Sequence, residues 1–131
     1  RMREGKDAVV FATGYMVHLA LEAAKALEAE GISLRVVNVN TIKPLDAAGV
    51  CAFAKGVKAA VTVEEASVIG GLGSAVCETL AAGPAESRIP VCIMGIRDTF
   101  GTSANDYNQL LAAYGLTSEE IVKQVKASIA L

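Results

Sequence analysis

The sequence predicts an α/β fold, a three-layer sandwich in which helices cover both faces of a mostly parallel sheet. Four short runs are almost continuously apolar, which is typical of strands buried on both faces. Amphipathic segments with helical spacing separate these runs, and such strand–helix alternation favours a doubly wound sheet. The four predicted strands begin at Ala8, Leu34, Ala59 and Val91.

The first helix is predicted from Tyr15 to Glu30, where apolar residues recur at steps of four, three and four. Gly31 supplies its C-terminal stop. The apolar positions are Met16, Ala20, Ala23 and Leu27, and the opposite face carries His18, Glu22 and Lys25.

The second helix is predicted to begin at Asp46, a good N-cap, because Pro44 disfavours helix before it. It runs to about Lys55 and is almost entirely apolar, with Val50 and Phe53 as its anchoring residues.

Three further helices follow along the chain. One comes after a glycine turn and ends at Gly83-Pro84, a shorter one is predicted in ANDYNQLLAAYG (residues 104–115), and the last begins with a capping box of Thr117 and Glu120. The apolar sides are predicted to be Leu72, Val76, Thr79 and Leu80 in the first of these helices, and Ile121, Val122, Val125 and Ile129 in the last.

Composition narrows the possible functions. A chain of 131 residues is predicted to be one domain over residues 1–131. The net charge of -2 and the pI near 5.4 provide no basic face for nucleic acid. No apolar run reaches the ~18 residues of a membrane span. Cys51, Cys77 and Cys92 lie apart in apolar segments, so we expect reduced, buried thiols in a cytosolic protein.

The mean hydropathy of +0.43 is high for a small domain and suggests an interface. A strand also begins almost at once at the N-terminus. We therefore expect the chain to be a fragment of a longer one.

The candidate site lies at the carboxyl edge of the predicted sheet, where parallel strands feed into loops and α/β proteins bind ligands. Here two acids precede a glycine-rich turn that opens a helix. We interpret one glutamate as capping this turn while the other faces a neighbour, and binding of an anion to the bare N–H groups is the alternative. The candidate interface or anion-binding residues are Glu64, Glu65, Gly70, Gly71, Gly73 and Ser74.

The remaining polar residues favour structural interpretations. His18, the single histidine, is expected to pair with Glu22 one turn further on. Arg97 and Asp98 are typical of a turn, and neither Ser74 nor Ser103 has a base nearby in the pattern. The sequence therefore predicts no catalytic, cofactor-binding or metal-binding residue.

Four segments in the same order resemble the C-terminal domain of transketolase, which also closes deoxyxylulose-phosphate synthase and the beta subunits of oxo-acid dehydrogenases. The most specific parts are TIKPLD (residues 41–46) and the Glu-Glu pair with Gly-Gly-Leu-Gly-Ser, while the tail is most like transketolases. The segments are DAVVFATGYMVHLALEAAKALEAEGISLRVVNVNTIKPLD, TVEEASVIGGLGSAVCETLA, GIRDTFGTS and YGLTSEEIVKQVK.

The resemblance implies a parent enzyme of the pentose phosphate pathway that transfers a two-carbon ketol unit between sugar phosphates. Its thiamine diphosphate and Mg²⁺ would lie between preceding pyrophosphate-binding and pyrimidine-binding domains or subunits, whose motifs this chain lacks. The domain itself would serve assembly, the interface of a homodimer and the shape of the active site, and would not be catalytic alone. A free-standing anion-binding or protein-docking module, or the same domain from either related branch, are the alternatives.

Overall fold

A computed structural model describes residues 3–39, 47–67, 71–96 and 115–131, with the backbone alone for residues 65–67 and 96. The described strands form one parallel sheet in the order β2-β1-β3-β4. An antiparallel bridge joins Arg3 to Val36 at the outer edge of β2. The strands are β1 (Ala8–Ala12), β2 (Leu34–Asn38), β3 (Ala59–Ser67) and β4 (Val91–Ile96).

Helices cover both faces of this sheet, so the predicted three-layer α/β sandwich is confirmed. The described helices are α1 (Met16–Glu28), α2 (Ala47–Ala54), α3 (Leu72–Ala82) and α4 (Ser118–Ile129), with a 3₁₀ turn at Ala85–Ser87. Helices α1 and α4 pack on one face and α2 and α3 on the other. None of the described helices is both long and apolar enough to cross a membrane.

The central strand β1 divides its side chains between two cores. Val10 faces α1 and α4, whereas Val9 and Phe11 face α2 and α3. All five residues of β1 are fully buried. This explains why the strand is apolar without alternation, since each of its faces is covered by helices.

Helix α1 confirms its predicted pattern. The four predicted apolar positions are fully buried, and the three predicted polar positions are exposed. The chain leaves the helix through Gly31, which has a φ of 80°. Its N–H donates to the carbonyl of Glu28, and the next N–H, of Ile32, donates to that of Leu27.

Helix α2 differs from the prediction in its anchors. Val50 is fully buried as expected and Phe53 packs against the same core, but Phe53 is only half-buried and the fully buried second position is Ala54. Helical geometry explains this correction, because a residue four positions after Val50 shares its face more closely than one three positions after it. Pro44 and the predicted N-cap Asp46 lie outside the described residues.

Helices α3 and α4 largely follow their predicted patterns. In α3 the exception is Thr79, which is half-buried and donates its hydroxyl to the carbonyl of Ala75 at 2.8 Å. At α4 the Oγ1 of Thr117 accepts a hydrogen bond from the Glu120 N–H at 3.1 Å, which is one half of the predicted capping box. The Glu120 carboxylate accepts from Gln124 at 3.0 Å. The helix predicted at residues 104–115 lies outside the described residues, apart from Gly115.

The three cysteines are free but half-buried, so the prediction that they are buried was wrong. Cys51 and Cys77 lie on helices whose outer sides face solvent, and Cys92 lies on the outermost described strand, β4. An apolar sequence neighbourhood therefore did not guarantee burial at these positions.

Candidate functional site

The two acids of the candidate site lie inside β3, not in the loop that follows it. The pairing of β3 with β1 ends at Val63, and the pairing with β4 is irregular between Val63 and Ser67. Glu64 and Glu65 occupy this irregular stretch, so the strand continues past its regular ladder. The strand therefore extends four residues beyond the apolar run that predicted it, which ends at Val63.

Glu64 is buried, with 6% of its surface exposed. Its Oε1 accepts a hydrogen bond from the Gly73 N–H at 3.5 Å, a long contact, in the first turn of α3. A carboxylate here is favoured because the first N–H groups of a helix lack partners within the helix and carry partial positive charge. This long contact is the one described contact that agrees with the interpretation that a glutamate caps the glycine turn, which stays a prediction. The side chain of Glu65 and the whole of Gly70 lie outside the described residues.

The glycines at the start of α3 have different roles. Gly71 is the N-cap and has an extended backbone, with no side-chain cap. At Gly73 a Cβ would lie 2.4 Å from Cγ2 of Ile93 and 3.0 Å from Oγ1 of Thr62. Gly73 therefore allows α3 to approach β3 and β4 closely, while Ser74 lies half-buried in the next position.

Thr62 is a buried polar residue that sequence reasoning missed. It is fully buried, and within the described part of the chain its Oγ1 has no hydrogen-bond partner. Its one sequence signal was a hydroxyl between two valines in a strand. Threonine is common in strands, so this signal does not separate a site residue from an ordinary β-branched one.

His18 lies apart from this cluster, on the outer face of α1. Its Nε2 is 2.9 Å from Oε1 of Glu22, with both side chains exposed, which confirms their predicted pairing. The ring also lies 5.7 Å from the ring of Tyr15. Arg97, Asp98 and Ser103 lie outside the described residues.

The cluster at the start of α3 joins strand and helix through an internal contact. Glu64 accepts a hydrogen bond from the Gly73 N–H. The Thr62 hydroxyl, the only unpaired buried hydroxyl among the described residues there, packs against Gly73 as well. The described residues contain no group of three or more His, Cys, Asp or Glu side chains placed to hold a metal ion. This arrangement can fix the first turn of α3 against the carboxyl edge of the sheet.

Comparison with protein families gives one match across most of the chain. The model of the transketolase C-terminal domain matches residues 1–121. A solved structure described as a split gene transketolase, inactive beta4 tetramer, superposes with a TM-score of 0.86 at 47% identity. That match covers 98% of this chain and 41% of the other.

Two curated relatives show the same partial coverage. The chain is 46% identical over 123 residues to the 6-deoxy-6-sulfo-D-fructose transketolase subunit SqwH of Clostridium sp. (strain MSTE9), covering 93% of this chain and 37% of that one. It is 42% identical over 125 residues to 1-deoxy-D-xylulose-5-phosphate synthase of Chlorobium luteolum, covering 95% and 19%. The chain therefore spans well under half of the length of these relatives.

Proposed function

Because the chain belongs to the transketolase C-terminal domain family, we propose that it is the assembly domain of a transketolase-type enzyme and performs no chemistry alone. The parent enzyme transfers a two-carbon ketol unit between sugar phosphates in the cytosolic pentose phosphate pathway. Thiamine diphosphate and Mg²⁺ are bound by its preceding pyrimidine-binding and pyrophosphate-binding domains or subunit, and the parent is a homodimer.

Partial coverage is the observation that carries this proposal. The chain matches 37% of a protein named as a transketolase subunit and 41% of a chain described as a split gene transketolase. In both, this domain accompanies a longer remainder. An assembly that includes such a remainder is therefore the best-supported context for this chain.

The geometry of the carboxyl edge supports a positioning role. Glu64 is directed inward to α3 and is buried, so it does not present a carboxylate to a substrate. Gly73 holds the helix within contact distance of two strands. A rigid edge of this kind can fix the boundary of a neighbouring active site, where displacements of about an ångström cost large factors in rate.

A second candidate for the parent reaction is deoxyxylulose-phosphate synthesis, favoured by the 42% identity to such a synthase. Because the chain is 46% identical to a 6-deoxy-6-sulfo-D-fructose transketolase subunit, a sulfosugar should also be assayed as a donor. In all three cases the role of this domain is the same.

The test is reconstitution with the thiamine-binding domains or subunit of the parent. Ketol transfer from xylulose 5-phosphate to ribose 5-phosphate is measured with thiamine diphosphate and Mg²⁺, alongside the mass of the mixture. Parallel assays use 6-deoxy-6-sulfo-D-fructose as donor, or pyruvate with glyceraldehyde 3-phosphate. We expect this chain to be inert alone, to associate, and to restore or raise one of these activities. A mixture that neither associates nor changes rate would overturn the assembly role.

A further inference from the structure

The outer strands of the described sheet are β2 and β4, and only β2 is covered at its outer edge. Arg3 exchanges two backbone hydrogen bonds with Val36 there, of 3.2 and 3.0 Å. β4 pairs with β3 on one side and with no described strand on the other. An open strand edge is a row of unpaired N–H and C=O groups, which forms a template for one more strand.

The register of β4 identifies the backbone groups that face away from the sheet. The Ala60 N–H of β3 donates to the carbonyl of Pro90 at 2.8 Å. The backbone groups of successive residues point to opposite sides of a strand, so Cys92 and Met94 also bond to β3 and the residues between them do not. Within the described part of the chain, the outward N–H and C=O groups have no hydrogen-bond partner, and they belong to Val91, Ile93 and Gly95.

β4 also lacks the features that usually protect an edge strand. Its sequence, VCIMGI, contains no charged residue and no proline, and its pairing with β3 is regular from Val91 to Met94. Natural sheets prevent unwanted pairing with charges, prolines or bulges at their edges. Without such features, this edge is suited to receive a partner strand.

Two cavities flank the open edge, one on each face of the sheet. The cavity beside α3 has a volume of about 480 Å³, and of the described residues that line it only Arg88 is charged. The cavity beside α4 has a volume of about 230 Å³ and is lined by residues 92–95 of β4 together with Glu120 and Gln124. Gln124 donates to the Glu120 carboxylate at 3.0 Å, so this second cavity contains a polar pair.

A strand added to this edge would place a side chain in each cavity. Successive side chains of a strand point to opposite faces of a sheet, so neighbouring residues would face α3 and α4 in turn. The cavity beside α3 fits an apolar side chain, whereas Glu120 fits a side chain that donates hydrogen bonds, such as lysine, arginine or glutamine. In strand addition, backbone hydrogen bonds provide the affinity and such cavities provide the specificity.

We propose that β4 binds an extended segment of a separate thiamine-binding subunit as an additional strand, in which apolar side chains alternate with basic or amide ones. The inference rests on the proposed function and names the surface that the assembly uses. A segment fused ahead of Arg3 reaches the sheet at β2, and three strand spacings of about 4.8 Å separate the two outer edges by about 14 Å. The edge of β4 is therefore left for a second polypeptide.

The first test measures hydrogen exchange of single amides by NMR, with the thiamine-binding subunit as the probe and without sugar phosphate. In the free chain, we expect the outward amides of Ile93 and Gly95 to exchange about tenfold faster or more than those of Cys92 and Met94, which bond to β3. The subunit should slow exchange at Ile93 and Gly95 by about tenfold or more. Cys92 and Met94 are the internal control, because their amides are already paired and should change far less.

The second test removes one outward N–H. Ile93→Pro and Ile93→Ala both lose most of the isoleucine side chain, but only proline also loses the N–H that faces away from β3. We expect the proline variant to bind the subunit about tenfold more weakly or worse than the alanine variant, because backbone hydrogen bonds provide the affinity. Circular dichroism verifies folding, and the exchange measurement on the native chain needs no variant.

Three results would overturn the inference. The first is slow exchange at Ile93 and Gly95 in the free chain, which would mean that the edge is already covered. The second is a complex in which exchange at these amides stays fast, and the third is a folded Ile93→Pro variant that binds as tightly as Ile93→Ala. Association with fast amides refutes the strand addition and leaves the proposed function intact, whereas a mixture that never associates refutes both.

Discussion

At the scale of single residues, Glu64 is a buried acid whose partner is a backbone N–H of α3. Glu64→Ala removes both the acceptor and its charge, and we expect it to lower the free energy of unfolding by about 1–2 kcal/mol. Glu64→Gln keeps an acceptor oxygen, so about half of that loss is expected. Urea unfolding at pH 7 measures the free energy of unfolding of both variants. If Glu64→Gln loses as much stability as Glu64→Ala, the hydrogen bond is not a source of stability.

Cys77 provides a second prediction at this scale. Burial raises the pKa of its thiol, and the neighbouring Glu78 carboxylate raises it further. Both effects disfavour the thiolate, so alkylation by iodoacetamide at pH 8 should be slower than for free cysteine and should accelerate at higher pH.

The measurement uses a Cys51→Ser, Cys92→Ser background, in which only Cys77 reacts. Glu78→Gln should bring the pKa part of the way back, because burial is the larger cause and remains. A Cys77 that reacts as fast as free cysteine at pH 8 would refute the raised pKa.

At the scale of elements, the start of α4 depends on its cap. Thr117→Ala removes the hydroxyl that accepts from the Glu120 N–H, and we expect a loss of about 1 kcal/mol. Thr117→Ser keeps the hydroxyl and should retain most of the stability. Thermal or urea unfolding compares the two, and a serine variant as unstable as the alanine variant would assign the effect to the lost methyl group instead.

The elements that the sequence predicted well are those whose pattern is local. The spacing of apolar residues predicted α1, and the Thr117 cap predicted the start of α4, because both signals are complete within a few residues. The end of β3 was not predictable in this way. The described partner of Glu64 is a donor in the first turn of α3, nine residues later, and nothing in the local pattern signals that contact.

Contacts between residues that are distant in sequence also limited the prediction of the candidate site. The capping role of Glu64 followed from helix electrostatics alone, whereas the roles of Thr62 and Gly73 depend on how closely α3 packs against the sheet. The contact of Gly73 with Ile93 joins residues twenty positions apart. No periodicity encodes such a distance, so these two roles became visible only in the folded chain.

At the scale of the whole molecule, one N-terminal segment ties the sheet to a helix layer. Arg3 and Val36 exchange backbone hydrogen bonds of 3.2 and 3.0 Å. The Arg35 guanidinium donates to Gly5 at 3.0 Å and to the Phe53 carbonyl of α2 at 2.6 Å. A Cβ on Gly5 would lie 2.3 Å from the backbone of Leu34 and Arg35, so glycine is required there.

Gly5→Ala should therefore release this segment and speed hydrogen exchange at the Val36 amide, which bonds to Arg3. Gly56→Ala is the matched control: its φ is 82° and no atom lies within 4 Å of the added Cβ. The control should cost about 1–2 kcal/mol through backbone strain alone. In Gly56→Ala, hydrogen exchange at the Val36 amide should speed up only as much as the lower global stability requires. If Gly5→Ala and Gly56→Ala speed exchange at Val36 equally, the N-terminal segment does not hold β2 in the way described.

The strand order has a consequence for synthesis of the chain on the ribosome. β1 is the first of the four described strands to be made, yet one of its two neighbours, β3, ends only at Ser67. At about 5–20 residues per second, roughly 3–11 s pass between completion of the two strands. During that time the edge of β1 that pairs with β3 is open, and we expect this entirely apolar strand to make the nascent chain a target for chaperones.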